Sequence, residues 1–120
     1  MLNSLSTSIR CKHEPLRSLA FGGISGAYAQ ISTPYTHPAR IYYLQNLTDV
    51  TLMFSWDGVT DGFPLVSEAF LLIDVTSNRT DFGGAFAVAQ GDATWVKALG
   101  DSSPTIGSVY LSIFYGFNSQ

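Results

Sequence analysis

Cys11, Lys12 and His13 place a thiol, an amine and an imidazole in three consecutive residues. A thiol beside an imidazole can act as a cysteine nucleophile, provided that the imidazole removes the thiol proton and a third group orients the imidazole. The cluster lies in a Ser-rich, charged segment that offers nothing to hold the two side chains together. We therefore interpret Cys11 as an exposed or interface-buried thiol, and we predict no catalytic residue.

Asp57 and Asp61 are two carboxylates four residues apart in a run that resembles part of a calcium-binding loop. An EF-hand loop needs carboxylates at every second position and a distant Glu, and the run lacks both. Each Asp is followed by Gly, which favours a tight turn, so turn formation is the better interpretation. Cys11, His13 and His37 are the only soft zinc ligands, and they lack the paired spacing of zinc sites. The sequence thus predicts no enzyme activity, no metal site and no cofactor.

Composition limits the class of protein. The 120 residues fit one domain, and 46% of them are hydrophobic, with no apolar run long enough to cross a membrane. A formal net charge of −3 argues against a general nucleic-acid binder, and a single Cys excludes an internal disulfide. Only 12% of the residues are charged, about half the usual share. A surface so poor in charge is usually covered by a partner, as in subunits of large assemblies.

Short apolar segments separated by Gly, Pro, Asn and Asp predict strands joined by tight turns. The eight candidate strands are residues 16–21, 27–31, 40–46, 50–56, 68–75, 86–89, 94–99 and 108–115. This pattern predicts an all-β fold, a single antiparallel β-sandwich for which a jelly roll is one possible arrangement.

Two of the predicted strands indicate where the core lies. Val50, Leu52, Phe54 and Trp56 share one face of a strand, so we expect Trp56 to point into the core. Residues 69–73 are apolar on both faces, which predicts a strand that is either central in a sheet or covered by a neighbouring subunit.

Residues 1–15 are predicted to form an N-terminal arm, and residues 16–120 the β-sandwich domain. Three basic residues against one acidic residue give residues 1–17 a formal charge of +2, whereas the rest of the chain carries −5. A basic arm on an acidic body suits contact with a neighbouring subunit, although a solvated tail is the simpler interpretation. The predicted partner-interface residues are three basic side chains and three apolar anchors: Arg10, Lys12, Arg17, Leu2, Leu5 and Ile9.

Several segments together resemble a family of small virion structural proteins of tailed bacteriophages. They are residues 15–22, 41–49, 52–58, 63–65, 70–78 and 107–116. These are fold and turn motifs, so the resemblance implies a particle-building role and no catalytic residue. It leaves the position open between neck, tail or fibre attachment and the capsid surface.

The resemblance leads us to expect a non-enzymatic, multi-copy virion protein of the head-to-tail neck or tail, assembled in the cytoplasm of a host bacterium. Its expected partners are further copies of itself and other virion proteins, namely portal, connector, tail, fibre or capsid proteins, with no membrane and no sequence-specific nucleic acid. The alternative within this class is a capsid decoration or cement protein. The alternative from another class is a glycan-binding module, in which exposed Trp56, Trp95 and Tyr side chains would form a sugar platform.

Overall fold

The computed structural model describes residues 9–74, 90–100 and 102–118. These residues contain nine strands and one short 3-10 helix, Phe21–Gly23. The strands are β1 (Ile9–His13), β2 (Arg17–Ala20), β3 (Ala29–Gln30), β4 (Ala39–Asn46), β5 (Leu52–Ser55), β6 (Phe63–Leu65), β7 (Phe70–Asp74), β8 (Trp95–Ala98) and β9 (Ser108–Asn118). No helix in these residues has the length and hydropathy needed to span a bilayer.

The strands form two antiparallel sheets that pack face to face. The first sheet has the order β1-β9-β4-β7, and β2 pairs with β9 on the same side as β1. The second sheet has the order β3-β8-β5-β6. Orders of β2-β9-β4-β7 and β3-β8-β5-β6 are those of a jelly roll of two four-stranded sheets. From β2 to β9 the chain changes sheet at every connection except the one between β5 and β6, which pair with each other. The prediction of an all-β antiparallel sandwich is therefore confirmed.

The core lies between the sheets and takes every second residue of the long strands. Leu52 and Phe54 of β5 are fully buried, and they face Leu111 and the other inward residues of β9 across the sandwich. Trp56, just past the end of β5, keeps the same direction and packs with its ring 5.2 Å from Tyr42 and 5.4 Å from Phe63. The expectation that Trp56 faces the core is confirmed.

Part of the predicted arm belongs to the first sheet. Residues 9–13 form β1, which pairs with the second half of β9 from Ile9 opposite Asn118 to His13 opposite Phe114. The reason is the length of β9, since β2 pairs only with its residues 108–111 and leaves the rest of that edge to β1. Residues 1–8 lie outside the described residues, as does the predicted strand 86–89. The division into an arm and a domain at residue 15 stays a prediction.

Candidate assembly surface

The outer face of the first sheet is the side turned away from the core. It presents three rows of aligned residues across β7, β4 and β9. The rows are Phe70, Gln45 and Tyr110, then Leu72, Tyr43 and Ser112, then Asp74, Ile41 and Phe114. We call these nine residues the outer face; Asp74 is its one charged member.

Large apolar side chains of the outer face are open to solvent. Phe70 is 59% exposed and Leu72 is 55% exposed, and the Tyr43 ring lies edge-on to the Phe70 ring at 5.6 Å. An antiparallel sheet that faces water on one side normally carries polar residues there. Exposed, contiguous apolar surface instead marks a site of interaction.

The position of β7 bears on two expectations for residues 69–73. Among the described strands β7 pairs with β4 alone and so stands last in the order of the first sheet, which gives no support to a central position. Its Leu71 and Ile73 pack against the core while Phe70 and Leu72 point outward. Cover by a neighbouring subunit is compatible with this placement, and both expectations stay predictions.

On the outer side of the second sheet, by contrast, the turn formed by residues 56–62 packs against Ser55 and Trp95. The Ser55 hydroxyl is buried and donates to the Thr60 carbonyl at 2.6 Å. The Asp57 carboxylate accepts hydrogen bonds from the backbone N–H groups of Val59 (2.8 Å) and Thr60 (2.7 Å). These backbone donors hold the pKa of Asp57 well below its usual value. The interpretation of this run as a turn is confirmed.

Asp61, the second carboxylate of that run, also has protein partners. It accepts a hydrogen bond from the Tyr28 hydroxyl at 2.5 Å and lies 3.3 Å from the Lys97 ammonium. Burial and the neighbouring Asp61 raise the pKa of Tyr28 to about 12. The structure reveals no grouping of three or more His, Cys, Asp or Glu side chains in its described residues that is suited to a metal ion.

Both Trp rings are packed against the domain itself. Trp56 lies among core aromatics, and Gly58 lies so close to Trp95 that a Cβ atom on Gly58 would be 2.8 Å from Cδ2 of the indole. A sugar platform needs aromatic faces that line an open groove. The packing of these two rings does not favour the glycan-binding alternative.

Arg17 does not have the role that the sequence predicted for it. Its side chain is only 4% exposed and forms a 2.8 Å ion pair with Glu14. Its guanidinium also donates to the carbonyls of Thr33 (2.7 Å) and Pro34 (2.8 Å). The Arg17 side chain therefore points into its own domain, because β2 places Arg17 opposite the buried Leu111. It is not an exposed contact for a partner.

The buried Glu14 is the centre of a polar cluster that the sequence analysis missed. One carboxylate oxygen pairs with Arg17, and the other accepts from the Thr36 hydroxyl (2.9 Å) and lies 2.8 Å from His37 Nδ1. Burial alone would raise the pKa of Glu14, but hydrogen bonds from His37, Thr36 and Arg17 outweigh burial and lower it. The His37 ring in turn stacks on Tyr115 at 3.6 Å. The cluster therefore joins the segment between β1 and β2 to the loop that precedes β4.

The other predicted interface residues lie in or before β1. Lys12 is exposed, as are its neighbours Cys11 and His13. Ile9 and Arg10 are the first two residues of β1, whereas Leu2 and Leu5 lie outside the described residues. The proposed partner role of these five residues stays a prediction.

No protein-family model matches the sequence, and a search of curated proteins gave no match. Among solved structures, the chain is similar to one from the Bacillus endospore appendages, which form a novel family of disulfide-linked pili. That likeness has a TM-score of 0.47 and 14% identity, and it covers 92% of this chain and 91% of the other.

Proposed function

We propose that this protein is a non-enzymatic structural subunit that assembles with copies of itself through its first sheet. The observation that carries the proposal is the exposed apolar outer face, on which Phe70 and Leu72 are more than half exposed beside Tyr43. Burying such side chains stabilises an interface by about 25 cal/mol per Å² of apolar surface removed from water. Aromatic residues are also enriched at the centres of interfaces.

The charge content supports the same proposal. A soluble monomer usually covers its surface with charged side chains, but charged residues make up only 12% of this chain. The outer face is poorer still, with Asp74 at its margin on the edge strand. An interface centred on Tyr43 would therefore bury few charges, which avoids the cost of removing ions from water.

We place this assembly in the virion of a tailed bacteriophage, at the head-to-tail neck or the tail, after assembly in the host cytoplasm. The support for this placement is the sequence resemblance described above. In that setting the subunits would form a multi-copy element between portal, connector, tail or fibre proteins. A reconstruction of the particle tests the placement directly, since density for this chain on the capsid surface would favour a decoration protein instead.

The self-assembly is tested by placing a charge at the centre of the outer face. Tyr43→Lys should shift the protein from multimers toward a single chain of 13.0 kDa in sedimentation velocity measurements, because it would bury an unpaired ammonium. The matched control is Val59→Lys, at a position that is 81% exposed in the turn over the second sheet, and it should leave assembly unchanged. A native protein that stays monomeric at all concentrations, with no affinity for virion proteins, would contradict the proposal.

A further inference from the structure

A cleft of about 460 Å³ lies at one end of the second sheet, where β5 begins and β6 and β8 end. Its walls come from the turn before β5, the segment after β6 and the loop after β8. Besides one carboxylate, the described lining residues are three apolar and three hydroxyl side chains: Val50, Val66, Leu99, Thr51, Ser67 and Ser102. A cleft of this volume with a few polar groups among apolar ones is typical of binding sites.

Two walls of the cleft are joined by one fully buried side chain, Asn46 at the end of β4. Its amide nitrogen donates to the carbonyls of Val50 (3.0 Å) and Leu65 (2.9 Å), and its amide oxygen accepts from the Thr48 N–H (3.0 Å). The Ser67 hydroxyl adds a 2.6 Å hydrogen bond to the Thr48 carbonyl. The turn before β5 and the segment after β6 are thus fixed to each other, so a ligand would not have to order them.

Asp49 joins the third wall to the other two and gives the cleft its charge. Its carboxylate accepts hydrogen bonds from the Thr105 N–H (2.9 Å) and the Thr105 hydroxyl. These hydrogen bonds hold the pKa of Asp49 below its usual value, so the carboxylate is ionised at neutral pH. Asp49 is the one charged side chain among the described residues that line the cleft, and the exposed Glu68 beside Ser67 has the same sign. The cleft therefore favours a cation.

The hydrogen bonds of Asp49 also distinguish between kinds of cation. Thr105 donates to both carboxylate oxygens from one side, which is the position that the two parallel N–H groups of a guanidinium would take. Each oxygen keeps a second lone pair, but these lone pairs diverge and do not suit a planar fork. A compact ammonium needs only one of them. A lysine side chain is therefore better matched to Asp49 than an arginine side chain.

We propose that the cleft receives a lysine side chain from another protein, with the ammonium on Asp49 and the aliphatic stem on the apolar wall. Lysine stems commonly lie along apolar surface while the charged end stays at a polar group, and Val50, Val66 and Leu99 provide that surface. The hydroxyls of Thr51 and Ser67 are placed to bond the main chain on either side of the lysine, which favours a peptide segment over a free amine.

The described basic side chains of this chain are already engaged. Arg17 pairs with Glu14 and Lys97 lies beside Asp61, and Lys12 and Arg40 also have interactions within the chain. The lysine is therefore expected from a different protein and not from a second copy. This contact lies apart from the outer face of the first sheet, so it is additional to the proposed self-assembly.

Saturation-transfer NMR with the native full chain tests the proposal, because it detects weak ligands of a protein in any state of assembly. The probe is a capped Ala-Lys-Ala tripeptide. Its norleucine counterpart, which lacks the ammonium, should bind about two- to five-fold more weakly, as expected for one partly exposed ion pair. The arginine counterpart should bind no more tightly than the lysine peptide, and n-butylammonium should bind more weakly than the lysine peptide.

Two pairs of variants with equal changes of charge locate the site. Asp49→Asn keeps an acceptor for Thr105 and should lower affinity for the lysine peptide to that of the norleucine peptide. The matched control, Asp61→Asn in the turn over the second sheet, should leave affinity unchanged. Val66→Lys leaves Asp49 intact but brings an ammonium into the cleft, so it should block binding of the peptide. Its control is Val59→Lys, which should bind the peptide as the native protein does.

Several results would overturn the proposal. Equal binding of the lysine and norleucine peptides would show that Asp49 does not select a cation. Equal effects of Asp49→Asn and Asp61→Asn, or of Val66→Lys and Val59→Lys, would place the binding elsewhere. Tighter binding of the arginine peptide would assign the site to a guanidinium, and equal binding of n-butylammonium would assign it to a free amine. None of these results bears on self-assembly through the outer face, which sedimentation tests separately.

Discussion

The second sheet lies under a turn of its own chain, whereas the first sheet has no such cover on its outer face within the described residues. Residues 56–62 fold back over Ser55 and Trp95 and are held by the Asp57 carboxylate. On the first sheet, Phe70 and Leu72 stand open at the edge. Within the described residues, the chain itself covers Ser55 and Trp95 of the second sheet, whereas Phe70 and Leu72 of the first sheet stay exposed to solvent.

The largest effect should come from the residue that joins the turn to the core. Trp56→Ala removes a ring that contacts Tyr42 of the first sheet and Phe63 of the second, and should lower the free energy of unfolding by about 3–5 kcal/mol. Chemical denaturation measures this loss. Val59→Ala in the same turn is the control and should change stability by less than about 0.5 kcal/mol. An unchanged melting temperature for Trp56→Ala would mean that the turn covers the second sheet without anchoring it.

The second large loss of stability should come from the buried Glu14 cluster, which belongs to the first sheet and the loop beside it. Glu14→Gln leaves the Arg17 guanidinium buried without its carboxylate and should reduce the free energy of unfolding by about 3 kcal/mol at neutral pH. Arg17→Met, which removes the buried cation, should recover part of this loss in the double variant.

The same variant has a pH dependence with a fixed sign. The pKa of Glu14 is lowered in the folded chain, so its contribution is complete above its unfolded value of about 4.3 and is lost as pH falls through the folded value. The stability gap between native protein and Glu14→Gln should therefore shrink on acidification. A gap that stays constant down to about pH 2 would show that Glu14 acts by shape and not by charge.

A smaller loss of stability should separate two costs of replacing Gly58 in the turn over the second sheet. One cost is backbone strain, and the other is the contact with Trp95. Gly58 has φ of +79° and lies against Trp95, whereas Gly91 has φ of +91° and open space around it. Gly91→Ala should cost about 1 kcal/mol from backbone strain alone, and Gly58→Ala about 2–3 kcal/mol because it also displaces the indole. Trp fluorescence should shift only in Gly58→Ala. Equal losses of stability in both variants would mean that a Cβ atom at position 58 does not displace the Trp95 indole.

The smallest effect on stability should come from deleting residues 1–8. We expect a change in the free energy of unfolding below about 0.5 kcal/mol, together with weaker assembly, if Leu2 and Leu5 contact a neighbouring copy. Thermal denaturation and sedimentation of the same sample measure both. If the truncated protein assembles as well as the full chain, these residues are a solvated tail.

Alternation of apolar residues was enough to predict most of the fold. The candidate strand at 108–115 corresponds to β9 and the one at 50–56 to β5, because their apolar residues repeat at every second position. β6 was missed because Pro64 interrupts a three-residue run, although Pro in a run is itself a sign of an edge strand. β1 was missed because Arg10 and Lys12 resemble a solvated segment, yet they alternate with Ile9, Cys11 and His13 as strand residues do.

The candidate surface was harder to predict from the sequence. The apolar character of residues 69–73 indicated burial, but only the strand order shows that β7 stands last in the first sheet among the described strands. The role of Arg17 depended on Glu14, Thr33 and Pro34, and the last two reach it through tertiary packing. A basic residue near a predicted arm therefore gave no signal that it would be buried.

The length of β9 has a consequence for the order in which the chain can fold. β9 pairs with β1, β2 and β4, and each of them is synthesised before it. Sequence-distant strand pairing of this kind makes folding slow, typically milliseconds to seconds. A nascent chain that ends before residue 108 lacks the middle strand of the first sheet. The outer face therefore forms only after translation has passed β9, so the proposed contact between copies would follow closure of each core.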